Sequence, residues 1–387
     1  AGGQGGRGAA GAAAGTGGSG ASAGTGQAGA GGNAGNAAGG SGGTAGASSG
    51  CAQVLTGYYV YWEPSYRASR VPLASLTHVA HAFVWPNADA TLNVPEGYLE
   101  PDLLSEAHAV GTKVLVSIGG AGATQDANFR TIVGSPALIA TFASSVAAFV
   151  VSHGYDGIDL DWENPHDAND RAGFTTLIST LRAVLPRPKV FTMAVTGTNW
   201  SGQWIDYSAI DSDMDYYHLM AYDQYGGWAG VSGHNAALLP SSAPDASSND
   251  QAYVDYLVNT RGLAPSKVVL GVPFYGYRYE GSTALGDDCG GDCSGASQMA
   301  YSAITPLIGN GWTRHWDDAA KVPWLTHDGA SGLISYDDAE SIDAKVHWAL
   351  QTRGLGGVFT WELSQDAAGN ADPLLDAMRT AYDATCQ

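Results

Sequence analysis

Residues 155–163 read Tyr-Asp-Gly-Ile-Asp-Leu-Asp-Trp-Glu. In an extended strand, alternate side chains point to opposite faces. Asp159, Asp161 and Glu163 therefore share one face, and Ile158, Leu160 and Trp162 share the other. The apolar face suits packing beneath helices. The acidic face does not suit a core, because burying several like charges is costly unless protons are kept or shared. Such crowding pushes the pKa values apart, so one carboxyl keeps its proton as a general acid while a neighbour stays ionised. A calcium loop would interleave its acids with Gly and Asn, not with Ile, Leu and Trp. Acid catalysis is the expected chemistry, with Glu163 as the proton donor.

A strand that displays carboxyls needs a scaffold. Short β-rich runs are predicted at 54–60, 78–85, 113–118, 157–162, 189–195, 216–220, 267–272 and 357–361. Helical patterns alternate with them, among them 137–152, 171–184, 250–260, 338–353 and 373–385. Alternating strands and helices predict a parallel sheet, and eight repeats in one domain predict a closed (β/α)8 TIM barrel. Residues 278–336 are too long for an ordinary connection and hold Cys289, Cys293, Trp312, Trp316 and Trp324. They are read as a small inserted subdomain after the seventh strand, walling one side of a groove.

Composition bounds the rest. Residues 1–50 contain 22 Gly and 15 Ala, one charge (Arg7) and no large apolar side chain. This segment is read as a disordered linker and residues 51–387 as the catalytic domain. The formal charge of −20 includes +1 from Arg7, so residues 51–387 carry −21. It argues against nucleic acid or an anionic membrane as partner and suits an uncharged polymer. No run of about eighteen apolar residues suggests a membrane span. The four cysteines lack the partners of a zinc site, and no metal or cofactor is expected. Cys51 precedes the first strand and Cys386 follows the last helix, so barrel closure predicts Cys51–Cys386 and, with it, Cys289–Cys293. Two bridges imply an oxidising compartment. The absence of an initial Met or apolar leader is read as a mature, exported form.

Four further segments recur at strand ends. Ser117-Ile118-Gly119-Gly120 ends the third, and Met220-Ala221-Tyr222-Asp223, followed by Gly233-His234-Asn235-Ala236, ends the sixth. Gly271-Val272-Pro273-Phe274-Tyr275-Gly276 ends the seventh, and Gly356 to Leu363 spans the eighth. Together with Asp156, Asp159, Asp161 and Glu163 in Asp-x-x-Asp-x-Asp-x-Glu, they resemble glycoside hydrolase family 18, the chitinases, over essentially all of 51–387. The chain departs from that family at Ala121, where Trp is usual, at Asn164, where Tyr is usual, and in a shorter insertion.

The resemblance implies hydrolysis of β-1,4-linked N-acetylglucosamine polymers, with the substrate's acetamido oxygen as nucleophile. It implies Glu163 as acid, Asp161 as the group holding the acetamido N–H, and Asp159 sharing a proton with Asp161. Tyr222 would aim the acetamido oxygen, Asp223 would contact the sugar, and Trp361 would floor it. Met220, Tyr275, Phe83 and Trp228 are further candidates for substrate contact. Phe83 and Tyr58 read equally as barrel core, and Asp156 as a residue that orders its strand. The histidines show no ligand spacing. An endo-β-N-acetylglucosaminidase acting on N-glycans or peptidoglycan would need the same chemistry. A chitin-binding lectin would typically have lost the acid. The expected protein is a monomer, secreted or tethered at a cell surface through its linker.

Overall fold

The computed structural model describes residues 51–386 apart from 242–246, 291–292 and 294. The linker reading of 1–50 thus falls outside the described residues. Eight parallel strands form the centre: β1 (Val54–Val60), β2 (His78–Pro86), β3 (Lys113–Gly119), β4 (Gly157–Asp161), β5 (Val190–Val195), β6 (Tyr216–Leu219), β7 (Val268–Pro273) and β8 (Gly357–Trp361). Each pairs with the next, and β1 pairs with both β2 and β8, which closes a (β/α)8 barrel.

Strand ends differ from the sequence reading by a residue or so, for local reasons. β7 starts at Val268 because Pro265–Lys267 forms a 3-10 turn whose Lys267 Nζ reaches the Met214 carbonyl. Two predicted helices finish in wide π turns. Asp250–Asp255 runs on as Tyr256–Thr260, and Ala339–His347 as Trp348–Thr352. The helices Pro101–Ala109 and Ala123–Val133 were not anticipated.

Among the described residues one helix, Pro136–His153, is long and apolar enough to suggest a membrane span. Its context is a barrel's outer ring. Ser135 caps its start, Gly154 ends it in the left-handed conformation, and Ile139, Phe142, Val146 and Val150 pack inward. Thr141, Ser144 and Ser145 lie on its exposed side and return their hydroxyls to its own carbonyls.

Two apolar layers result. One lies between barrel and helices and includes Ile158, Leu160 and Trp162. The other fills the barrel with Tyr58, Val60, Ala80, Phe83, Val269 and Phe359. The insertion is a five-stranded antiparallel sheet ordered Ser297–Ala300, Tyr275–Tyr279, Leu333–Ser335, Val322–His327 and Trp312–Asp317. It starts at Tyr275, three residues before the expected boundary. Tyr275, Tyr277 and Tyr279 alternate onto one buried face, which extends the sheet back to the end of β7.

The disulfide Cys51–Cys386 joins the two ends of the described chain, with Cα atoms 5.2 Å apart across a sequence separation of 335. Closing so long a loop restricts the unfolded chain by roughly 6 kcal/mol in the chain-entropy picture. Cys289–Cys293 closes a short loop in the insertion.

Candidate active site

Asp159 sits at the centre of the barrel, fully buried. Register brings its neighbours to it: Ser117 of β3 and Thr192 of β5 pair directly with Asp159. Ser117 Oγ and Tyr58 Oη donate to its Oδ2 at 2.7 and 2.8 Å, and Thr192 Oγ1 donates to Oδ1 at 2.6 Å. His218 Nδ1 lies 3.4 Å from Oδ1 and 3.1 Å from the Tyr58 hydroxyl. Burial opposes charge on Asp159, but the hydrogen bonds from His218, Thr192 and Ser117 outweigh it and hold the carboxyl below its usual range.

One step outward, Asp161 is buried, and its Oδ1 has no hydrogen-bond partner among the described residues. Burial, then the charges of Glu163 and Asp159, push its pKa well up. Its main chain is tightly held. The Gly120 N–H donates to the Asp161 carbonyl at 2.9 Å, and Gly119 has φ 126°. A Cβ on Gly119 would stand 2.1 Å from that carbonyl oxygen, so the Gly pair is what lets β3 approach.

Glu163 follows β4 and is half-buried. Burial, then the charge of Asp223, raises its carboxyl to about 7. Thus the strand carries a graded set: an ionised carboxylate at depth and two carboxyls above it that hold protons.

Tyr222 and Asp223 follow β6. Burial and the surrounding carboxylates keep the Tyr222 phenol neutral, hence a donor. Asp223 stands at φ 55°, where its N–H donates to Asn235 Oδ1 at 3.0 Å. Its Oδ1 accepts from Tyr275 and from Tyr277, the latter at 3.1 Å. Burial raises its pKa, and these two phenols offset part of that. Trp361 ends β8 with its ring half-buried, 5.6 Å from a stacked Phe83. Phe83 stacks in turn on the exposed Trp62, 6.0 Å away. An apolar strip therefore runs from β8 across β2 to the loop after β1. Such a site can protonate an ether oxygen, hold an amide N–H on an ionisable oxygen, and support the apolar face of a ring.

This geometry coincides with a family match. The model for "Glycosyl hydrolases family 18" matches residues 54–366. The chain belongs to this family. Chitinase A1 of Niallia circulans is 32% identical over 66% of this chain, which spans 40% of that relative's length. The Class V chitinase of Arabidopsis thaliana is 30% identical over 84% of this chain and 89% of its own. The crystal structure of the Ostrinia furnacalis Group IV chitinase superposes with a TM-score of 0.75 at 27% identity, covering 85% of this chain and 99% of that one. A further structure of that insect enzyme holds allosamidin.

Within this family 18 hydrolase, the residues singled out from the sequence divide by place. Asp159, Asp161, Glu163, Tyr222, Asp223, Tyr275, Phe83 and Trp361 converge at the C-terminal mouth of the barrel. Met220 is half-buried, its N–H held by the Val195 carbonyl. Trp228 lies further out, 43% exposed and edge-on to Tyr277 at 5.8 Å. Asp156 is at the other end of β4, where its Oδ2 accepts from Val114 N–H at 2.8 Å and lies 2.9 Å from His108 Nε2. That is strand ordering, remote from the mouth.

Sequence reasoning passed over His218, Thr192, Tyr277 and Trp62. A polar residue inside an otherwise apolar barrel strand, as with His218 in Tyr-Tyr-His-Leu, was the available signal for the first two. Tyr277 and Trp62 carried no such signal, because aromatic residues are common in cores.

Proposed function

We propose that this protein hydrolyses β-1,4-linked N-acetylglucosamine polymers, chitin and chitooligosaccharides, by substrate-assisted retaining catalysis. The observation that carries the reading is the pairing of two carboxyls on one strand face. Glu163 holds a proton up to about pH 7, and Asp161 Oδ1, two residues deeper, is buried without a hydrogen-bond partner among the described residues. The first can act as an acid. The second awaits a donor such as an acetamido N–H.

In this reading Glu163 protonates the glycosidic oxygen as its bond to C1 breaks. The acetamido oxygen, aimed by the Tyr222 hydroxyl, forms the new bond to C1. Asp161 takes the acetamido N–H and offsets the positive charge on the oxazolinium ring, sharing its proton with Asp159. Glu163, now ionised, takes a proton from water, which opens the ring at C1 and returns the β-anomer. Trp361 supports the sugar's apolar face. The chitinase names of the relatives support this polymer. The two disulfides support an oxidising, extracellular site of action, where the catalytic part would act as a monomer tethered by residues 1–50.

The test is product analysis by NMR and mass spectrometry on chitin oligomers, a high-mannose glycopeptide, peptidoglycan and cellulose oligomers. The first product from chitin oligomers should be the β-anomer, and cellulose oligomers should be inert. An α-anomer, or equal cleavage of cellulose, would overturn the mechanism. Preference for the glycopeptide or peptidoglycan would overturn the substrate.

A further inference from the structure

Asp223 is one of three non-glycine residues with positive φ among those described, at 55°. A side chain in the left-handed conformation crowds its own backbone and stays there only when neighbours hold it. At Asp223 the holder is Asn235, which is fully buried. Its Oδ1 accepts the Asp223 N–H at 3.0 Å, and its Nδ2 donates to the Tyr275 carbonyl at 3.0 Å. Its own N–H donates to Ser335 Oγ at 2.8 Å, and its carbonyl accepts from the Gln224 N–H at 2.9 Å. The partners fix which way the amide faces, because a backbone N–H needs an acceptor and a carbonyl needs a donor.

We propose that Asn235 is a positioning residue of the reaction: it holds Asp223 where its charge acts on Glu163, and it ties that hold to the inserted sheet. This rests on the reading of the site as an N-acetylglucosaminyl hydrolase. The contacts form a closed ring. Asn235 joins the Asp223 main chain to the Tyr275 main chain, and the Tyr275 phenol returns to Asp223 Oδ1. A second branch runs through Ser335, which pairs with Tyr277 in the inserted sheet, and the Tyr277 phenol donates to the same Oδ1 at 3.1 Å. One amide therefore spaces the elements that meet at the Asp223 carboxylate. Acceptor and donor must sit on one short planar group. Leu supplies neither, and an ionised Asp supplies acceptors only.

The segment that carries Asn235 is itself pressed against the Asp223 loop. A Cβ on Gly233 would stand 2.3 Å from the Tyr225 ring, so only glycine lets the two run this close. Asp223 is the charged neighbour that adds to burial in raising the Glu163 carboxyl. The other ionisable groups facing this pair are Asp161 on β4, Tyr222 beside Asp223, and Tyr275, Tyr277 and Tyr279 of the inserted sheet. Burial keeps Asp161 protonated and the four phenols neutral, so Asp223 is the charge whose place matters. Released from Asn235, residue 223 should relax to negative φ and swing its carboxylate off the two tyrosines. Glu163 should then lose its proton at lower pH.

The test records pH–rate profiles on hexa-N-acetylchitohexaose for the intact protein, Asn235→Leu, Asn235→Asp, Asp223→Asn, and the double variant of Asn235→Leu with Asp223→Asn. Asn235→Leu should lower kcat by about tenfold, the scale of one lost buried hydrogen bond, and move the basic limb to lower pH. The double variant should place that limb where Asp223→Asn alone places it, since Asn235 acts through Asp223. A buried, protonated Asp at 235 can still accept from Asp223 and donate to the Tyr275 carbonyl, so Asn235→Asp should keep most of kcat at pH 5. A lower rate with an unmoved limb, or a further displacement in the double variant, would overturn the assignment and leave Asn235 a packing residue. Should Asn235→Leu fail to fold, hydrogen exchange in the wild-type protein decides. The Asp223 N–H should exchange slowly because its acceptor is fully buried, and exchange at the rate of an open loop amide would overturn the hold. A wild-type protein inactive on the hexamer would overturn the hydrolase reading, while the Asp223 exchange rate would still decide whether Asn235 holds the loop.

Discussion

The phenol of Tyr58 on β1 donates to Asp159 Oδ2 on β4 at 2.8 Å, joining residues 101 positions apart through the interior of the barrel. It is one of the donors that hold a fully buried carboxylate ionised. A hydrogen bond to a charged group is worth ~1.5–3 kcal/mol. Tyr58→Phe should therefore cost roughly tenfold or more in kcat with the fold kept. It should also raise the pKa of Asp159 and move the acidic limb of the pH–rate profile upward. A profile unchanged in height and position would remove Tyr58 from the machinery.

Glu163 sets the other limb. It must be protonated to act as an acid, and its pKa is raised to about 7 by burial and by the charge of Asp223. Activity should fall as pH rises through about 7. Glu163→Gln should lower kcat by ~10²–10⁴ while leaving oligomer affinity largely intact, measured by tryptophan fluorescence. Asp223→Asn withdraws a neighbouring negative charge, so it should move the basic limb to lower pH. An unshifted limb would separate the two carboxyls.

The sequence revealed most of the barrel because each β strand is a short apolar run bounded by turns, and its alternation placed Asp159, Asp161 and Glu163 on one face. What it could not show is set by closure. Tyr58 and His218 reach Asp159 only because β1 and β6 curve around to face β4. Local alternation cannot distinguish such residues from core layers. Trp62 was missed for the opposite reason: it lies in the loop after β1, where no periodicity marks direction.

Stability should also respond to pH, with a sign fixed by burial. Burial raises Glu163, Glu362 and Asp366 to about 7, and Asp250 to about 8. In the unfolded chain such carboxyls titrate near 4, so the native state binds more protons in between, and its stability falls as pH rises through that window. His78 and His81 act in the opposite sense, held neutral by burial down to about 3. They destabilise the fold as pH drops below about 6.5, where the unfolded imidazoles charge. Above about 6.5 only the carboxyl effect is left. Melting temperature should therefore decline steadily from about pH 6.5 to 8.5 in calorimetry. A flat or rising curve would contradict these shifts.

The short disulfide bears on Trp228. Cys289 N–H donates to the Gly230 carbonyl at 3.0 Å and Cys293 N–H to the Ala229 carbonyl at 2.9 Å, so the bridged loop clasps the segment that presents Trp228 beside Tyr277. Replacing both cysteines with Ser should raise KM for long chitin oligomers about three- to tenfold, on the scale of one loosened aromatic contact. The kcat should change little, because Glu163 and Asp161 do not touch this loop. Equal effects on kcat and KM would point to a wider disturbance.

Behind the Asp223 loop lies a cation whose removal should be read in stability. Lys345 Nζ is fully buried, 2.8 Å from Asp337 Oδ1 and 3.8 Å from Asp250 Oδ2. Asp250 Oδ1 accepts from Gln224 Nε2 at 2.8 Å, and Gln224 brackets Ala237, taking its N–H at 2.7 Å. Gln224 follows Asp223, so this network links the helix Ala339–His347 to the loop that carries Tyr222 and Asp223. Lys345→Met keeps a chain of similar length but leaves Asp337 without its ion-pair partner. Breaking a buried pair in this way costs ~3–5 kcal/mol, which equilibrium urea unfolding would detect. With the cation gone, both carboxyls should take up protons more readily, and protonation relieves the unpaired charge. The deficit should then shrink as pH falls toward 5 and widen toward 8. The double variant Lys345→Met with Asp337→Asn should recover part of the loss, since the two residues act as one unit. A deficit equal at both pH values, with no recovery in the double variant, would mean that Lys345 contributes through packing of its methylenes and not through its charge.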